Sequence, residues 1–596
     1  MSNLYTLFDE LITQVNSSLK DYPQKLSVEK LEQISYNLGY KKVRYYSSIN
    51  DALDDIYYAT EDRITINNPK VMVQDDVDGV PVISLLSDCE QNGYVVVDNS
   101  IKLFLNSHTL KINGGTMQVS TGIDVSIFGG NTNNRGTIIS TPAEGKVGTA
   151  IQFYGNNLNC YNTQLSVSTS QQRAVYGIYL YTYSNVNIVN CNIDVTYNGG
   201  TYGEKYSAGI YSQNCLSTIN ISSCNINCVS NGMNMYGIMC NTGDSFTIEK
   251  CNINIEVTSN HIAFAIVNRS GTNCNIRDSV ICSYTQSNNT SYRQCLGVLN
   301  EGYLLMENCR CDLKIDGHRG YVVENYVNSQ AILRNCNFKV TLLSEVGDLS
   351  VYAVLNFHKI ECYDCIFWTD ARYGNVGTPM ALAVYNGDEA YLSNCTITGT
   401  HSGLQHSGNS LYIDGGLYTG TWHGGLYIST DPDGKTYINN ATLRDGHYDG
   451  QFGDPEQTLL TWNYWGSVYI GGSEGRDNII ANFDGCTFEG YKHGICMRGS
   501  LGEKNNTARL SNCTFAPRGY GDMNCTINYH SNTHNVHVGV GCNATSDSIY
   551  IDHTIADKTP VTDNMLVFTK DIYRGIYDGR EMTEDDALAL TSLLEA

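Results

Sequence analysis

The sequence predicts an all-β fold: a right-handed, single-stranded parallel β-helix with three short strands per coil, an α-helical N-terminal segment and a short C-terminal helix. The first observation behind this is an Asn-Cys frame. Around Asn190-Cys191, apolar residues stand three and five before the Cys (Ile188, Val186) and two after it (Ile193). Second, the frame recurs through Cys224, Cys251, Ser279, Cys309, Cys336, Cys365 and Cys395 in steps of 33, 27, 28, 30, 27, 29 and 30 residues. A fixed period of this size marks a repeat protein whose units bury their apolar faces on one another. Third, each period carries a small residue followed by an aliphatic upstream of the Cys, as in Gly177-Ile178, Gly209-Ile210, Ala265-Ile266 and Ala353-Val354. Three strand signals in about 30 residues fit a β-helical coil and fall short of a propeller blade.

Residues 1–92 read as an attachment or capping segment. Leu4, Leu7, Phe8, Leu11, Ile12, Val15 and Leu19 form one helical stripe, which Pro23 ends. Val28, Leu31, Ile34 and Leu38 form a second, and Tyr46 to Leu53 a short third. Strand-like pieces follow at Arg63–Ile66 and Val82–Leu86. The β-helix itself spans 93–555, and roughly fifteen coils would make a rod about 70 Å long. The frame weakens at Gly416 and Ala441 and returns at Cys486 and Cys513. The 45 residues from Ala441 to Cys486 predict an insertion or an irregular double coil. In the tail, 556–596, Thr583-Glu584-Asp585-Asp586 looks like a helix N-terminus leading into Ala587–Leu594.

Within the frame, Cys and Ile or Phe become interior ladders, since like residues of stacked coils lie about 4.8 Å apart. The residue before the Cys is often Asn or Asp (Asn190, Asp278, Asn308, Asn335, Asp364, Asn394). These residues tolerate a left-handed backbone at a turn, and stacked Asn can bond coil to coil. The 22 Cys thus read as reduced, buried small hydrophobes. They are not placed as a disulfide framework, and no spacing suggests zinc or any other cofactor.

Net charge is -23, with no basic cluster, so no nucleic-acid partner is expected. No apolar run is long enough to span a membrane. The first residues lack a secretory pattern, so a secreted product is not expected.

The aromatic residues gather where the rhythm breaks. Three of the four Trp fall between 422 and 465. Trp422, His423, Tyr448, Asp449, Trp462, Tyr464 and Trp465 are the candidate ligand-binding residues. Trp and Tyr faces stack on sugar rings while Asp and His satisfy hydroxyls. The alternative is that these aromatics pack the inserted loop onto the rod. Catalysis would need paired carboxylates on neighbouring coils. The column three after the Cys (Asp194, Asn227, Asn254, Cys282, Asp312, Lys339, Trp368, Thr398) supplies none. Glu301 and Glu324 stand at unequal offsets from the frame, and Asp449, Asp454 and Glu456 fall in the irregular loop near His447.

The Asn-Cys-x-Ile/Phe rungs, with the phrase Phe104-Leu105-Asn106-Ser107-His108-Thr109-Leu110 leading into them, resemble the pectate-lyase-like superfamily of right-handed parallel β-helices. That resemblance covers about 93–555. Its members include polysaccharide lyases, glycoside hydrolases and bacteriophage tailspikes or tail fibres, so it speaks to fold more than to function. A helical segment ahead of such a rod is most similar to a phage tail appendage. The resemblance then implies a homotrimer on the virion, joined to other tail proteins through residues 1–40, that binds or cleaves a bacterial surface glycan. Three readings stand open: a glycan-binding appendage, a polysaccharide lyase or glycoside hydrolase, and a purely structural virion component.

Overall fold

The computed structural model describes residues 43–58, 68–75 and, apart from loops between strands, 79–517. Beyond these it describes 541–543 and five further strands, Asn535–Val538, Ile549–His553, Met565–Thr569, Ile572–Tyr577 and Arg580–Glu581. The expected helices at 1–40 and 583–594 and the strand at 63–66 lie outside the described residues.

The chain winds as a parallel β-solenoid of three sheets. One coil runs Val175–Leu180, Asn185–Val189, Asn192–Tyr197, and each strand pairs with its counterpart about 30 residues on. We name the sheets by their place in the repeat: upstream, pre-cysteine and post-cysteine. The upstream and post-cysteine sheets hold 16 strands each, close to the number of coils expected. The pre-cysteine and post-cysteine strands alternate buried and exposed residues, with Val186, Ile188, Cys191 and Ile193 all fully buried. The upstream strands differ: Val175–Leu180 and Ala263–Asn268 are buried at every position.

The small-aliphatic pair has a steric cause. The ladder pairs Tyr176 with Ala208 and Ile178 with Ile210, skipping the glycines between them. A Cβ on Gly209 would meet Ile226 Cγ2 at 2.6 Å and the Gly237 carbonyl at 2.7 Å. Both members of the pair therefore face the interior, and only a small first residue leaves room.

The residue before the Cys turns the chain through a left-handed conformation, as the Asn and Asp pattern predicts. Asn190, Asp278, Asn308, Asn335, Asp364 and Asn394 all have φ between 49° and 55°. Asn190 Nδ2 donates to Asn162 Oδ1 at 2.6 Å, and Asn335 to Asn308 at 2.8 Å. The geometry also holds where the frame looked weak: Gly415 and Asn440 are left-handed before Gly416 and Ala441. At Lys250 (φ 54°) a long side chain takes the same turn. A non-glycine residue there costs about 1–2 kcal/mol unless it bonds locally. Lys250→Gly is therefore expected to raise stability by about 1 kcal/mol, read as a rise in melting temperature. No rise would mean that the Lys250–Glu249 contact (2.8 Å) compensates the strain.

Every cysteine among the described residues is a free thiol, and nearly all are buried. They do more than fill space. Cys224 Sγ donates to the Ser222 carbonyl two residues back (3.1 Å) and accepts from the Cys191 N–H of the preceding coil (3.3 Å). A side-chain bond with the Cys191 thiol, and then burial, push the Cys224 thiol up to about 12 although the Cys191 N–H pulls the other way, so it stays protonated as a donor. Ser279 makes the same two bonds, to Arg277 O at 2.7 Å and from Cys251 N at 3.1 Å. Cys224→Ser should therefore be nearly neutral, while Cys224→Ala should cost about 1–2 kcal/mol by stranding a buried N–H. If thermal melts rank alanine at or above serine, the thiol is only a filler.

The N-terminal end is closed by a cap. Val43–Tyr46, Val71–Asp75 and Pro81–Leu85 pair antiparallel before the rod turns parallel at Val82–Ser84 against Lys102–Phe104. One helix, Ile49–Tyr58, buries Ile49, Ala52 and Leu53, and Arg44 bridges to Asp55 at 2.6 Å. At the far end, Met565–Thr569 and Ile572–Tyr577 again pair antiparallel. An antiparallel terminus breaks the template that a bare parallel edge would offer to another chain. The tail's hairpin had no counterpart in the sequence pattern.

The stretch from Ala441 to Cys486 is one coil. Thr442–Asp445, Gly466–Ile470 and Ile480–Asp484 occupy the three sheets in turn, so the extra length lies in the connections between them.

Candidate functional site

The seven sequence-predicted residues, Trp422, His423, Tyr448, Asp449, Trp462, Tyr464 and Trp465, lie outside the described residues, as do His447, Asp454 and Glu456. Their flanks are placed. Gly420 and Gly424 bracket the first group, and Asp445 and Gly466 the second. Both segments leave a post-cysteine strand and enter an upstream strand, on successive coils. Tyr427 and Tyr469 pair at that step, with ring centroids 5.2 Å apart.

The upstream sheet carries the richest outer face among the described residues. Because Ile178 points inward, its neighbour Tyr179 points outward, and the same holds coil after coil. The register stacks Tyr179, Tyr211, Met239, Val267, Leu299, Glu324, Leu355 and Tyr385 in one column. A second column runs Tyr176, Ala208, Tyr236, Phe264, Leu296, Tyr321, Tyr352 and Leu382. In the early coils the rings close on one another: Tyr179–Tyr181 stack at 4.1 Å and Tyr176–Tyr179 meet edge-on at 4.8 Å. Burial pushes the Tyr236 hydroxyl up to about 12. This part is a packed aromatic layer.

In the middle coils the upstream strands stay largely buried, and exposure begins on the turn that follows them. Tyr326 is 48% exposed and Val327 54%, on the turn after one upstream strand. Phe357 and Tyr385 continue the aromatic edge, at 6.3 Å from Tyr326 to Phe357 and 6.2 Å from Phe357 to Tyr385. Acids lie beside them. Glu324 sits in its column between Leu299 and Leu355, two apolar neighbours that exclude water. Burial pushes its carboxyl up to about 7; Arg319 opposes the shift and Glu301 adds to it. Glu301 pairs with Arg269 at 2.7 Å, and Asp388 with His358 Nδ1 at 3.0 Å. Glu324 pairs across the ladder with Leu299, two residues before Glu301, so the two acids do not face each other on neighbouring strands. Their unequal offsets in the sequence pointed the same way.

Beneath this face runs a buried asparagine ladder that the Asn-Cys frame does not reveal. Asn268 donates to Asn300 at 2.6 Å, Asn300 to Asn325, Asn325 to Asn356 and Asn356 to Asn386 at 2.7 Å each, and Asn386 meets His406 Nδ1 at 2.8 Å. Each Asn also donates to a carbonyl of the following coil, as Asn325 does to Lys359 O at 2.9 Å. The ladder ties the upstream strands to the turns that carry Tyr326, Phe357 and Asp388. Its signal was partly present: Asn268, Asn300, Asn356 and Asn386 stand three residues after the small residue of the small-aliphatic pair, while Asn325 follows Val322 at the same spacing.

The column three after the Cys is aligned as expected, and it places Lys339 Nζ over the Trp368 ring at 4.3 Å. Among the described residues no cluster of three or more His, Cys, Asp or Glu could hold a metal ion. No helix among them is long and apolar enough to cross a membrane. No protein-family model matches the sequence, and no curated protein is significantly similar to it.

Proposed function

We propose that this chain is the rod of a bacteriophage tail appendage that holds a bacterial surface polysaccharide along the outer face of its upstream sheet. The observation that carries the reading is the mid-rod edge where Tyr326, Phe357 and Tyr385 stand beside Glu301, Glu324 and Asp388. Aromatic faces next to carboxylate acceptors are what a sugar's C–H surface and hydroxyls need. The Trp-rich connections at 422–465 enter the same sheet farther along. In this reading residues 1–40 join the chain to other tail proteins, three copies assemble, and the product resides on the virion. The test is adsorption of the full-length protein to encapsulated bacteria. Tyr326→Ala with Tyr385→Ala, and separately Trp462→Ala with Trp465→Ala, should each weaken adsorption at least about tenfold, as loss of a stacking anchor does. Unchanged adsorption by both pairs would place the binding surface elsewhere, and absence of both adsorption and cleavage by the unsubstituted protein would leave the purely structural reading.

A second reading, polysaccharide cleavage, is favoured by the place of Glu324 in the outward column of this sheet, between Leu299 and Leu355, where burial pushes its carboxyl up to about 7, the range a general acid needs. Release of reducing ends or unsaturated sugars, lost in Glu324→Gln, would establish it.

A further inference from the structure

We infer that the mid-rod face takes an uncharged or amine-bearing glycan and rejects polyanionic ones such as polyuronates or sulfated chains. This rests on the glycan reading above and names the class of ligand. Acidic sugars need cations free to pair with them, usually Arg in a bidentate fork. On this face the cations are already engaged. Arg269 is held by Glu301 at 2.7 Å, and Arg319 lies in the field of Glu324. The ring of His358 faces Asp388, which also accepts from Asn409 Nδ2 at 2.6 Å. With Glu324 only part-ionised near neutrality, the carboxylates and the two guanidinium groups roughly balance and leave no local positive excess to draw an anion, while the chain's net charge of -23 sets a repulsive field at longer range. An incoming carboxylate or sulfate would have to displace Glu301 to reach the Arg269 guanidinium. A hydroxyl can donate to Asp388 or Glu301, and an ammonium gains a charge-assisted bond there.

The inference is tested with the full-length protein and four immobilised polysaccharides: a neutral mannan, a neutral galactan, chitosan and polygalacturonate. Binding to a neutral chain or to chitosan at least about tenfold tighter than to polygalacturonate is the expected result. Tighter binding to polygalacturonate, weakening as salt rises, would overturn the inference while leaving the glycan reading intact. Binding to none of the four overturns both. A second variant checks the cause: Glu301→Gln releases the Arg269 guanidinium and should raise polygalacturonate binding several-fold. No rise would remove the Arg269–Glu301 pair as the source of the selectivity.

Discussion

Asn325→Ala is expected to open the rod locally, at a cost of about 3 kcal/mol or more. Asn325 uses its whole side chain. Its Nδ2 donates to Asn356 Oδ1 and Lys359 O, and its Oδ1 accepts from Asn300 Nδ2 and from Ser329 Oγ. All four partners are carried on neighbouring coils or the adjoining turn, and the amide is completely buried. Alanine leaves these groups without water to replace the lost bonds, and each stranded group costs about 1–3 kcal/mol. Asn220→Ala is the control. Asn220 donates to Asn187 Oδ1 at 3.0 Å in the same coil-to-coil manner but on the exposed face. Water replaces that bond, and the change should stay within about 0.5 kcal/mol. Long repeat arrays need not unfold in one step, so hydrogen exchange at the ladder is the right measurement. The Phe357 amide, bonded to Asn325 O at 2.8 Å, should lose protection in Asn325→Ala and keep it in Asn220→Ala. Equal effects of the two substitutions would show that burial does not set the value of the ladder.

Glu324→Gln is expected to stabilise the protein at pH 8 and to leave it unchanged below about pH 4.5. Burial between Leu299 and Leu355 lifts the carboxyl from its ordinary 4.5 to about 7. Between those values the folded chain keeps a proton that the unfolded chain releases, so stability falls as pH rises through the window. Above pH 7 the ionised group costs up to about 3 kcal/mol, which a neutral glutamine removes. Melting temperatures of both proteins from pH 4 to pH 8.5 should diverge progressively above pH 4.5. A constant difference across that range would place the Glu324 carboxyl at its ordinary value. His401 works in the opposite direction: burial lowers it to about 4, so its contribution is lost as pH falls from about 6.5 toward 4.

Much of the fold was legible because each local choice repeats and is forced by sterics. Ile188 and Ile193 had to face inward once Asn190 was read as the turn. The interior of the cysteine column was also legible, but its hydrogen bonding was hidden. Thiols were weighed as hydrophobes, although Ser279 in the same column already indicated a donor and acceptor. The asparagine ladder was missed for a related reason. The ladder keeps step with the small-aliphatic pair and not with the Asn-Cys turn, as Asn300 and Asn356 show, and at Asn325 the preceding pair is Val322-Val323, with no small residue to mark it. The candidate site was the least legible part. Tyr326 and Phe357 each directly follow a ladder Asn, and Asp388 stands two after Asn386, so their grouping becomes legible only once the ladder itself is known.

By itself, then, the sequence determined the coil: its three strands, its left-handed corner and its buried rungs, since these depend on contacts within one period. Only the tertiary structure decided which outward residues become neighbours. Glu324 meets Leu299 and Leu355, and its carboxyl rises, because strand register carries them together across the 25 and 31 residues between them. Register is set by every turn along the way, and the charge state of a side chain follows from whatever that register places above and below it.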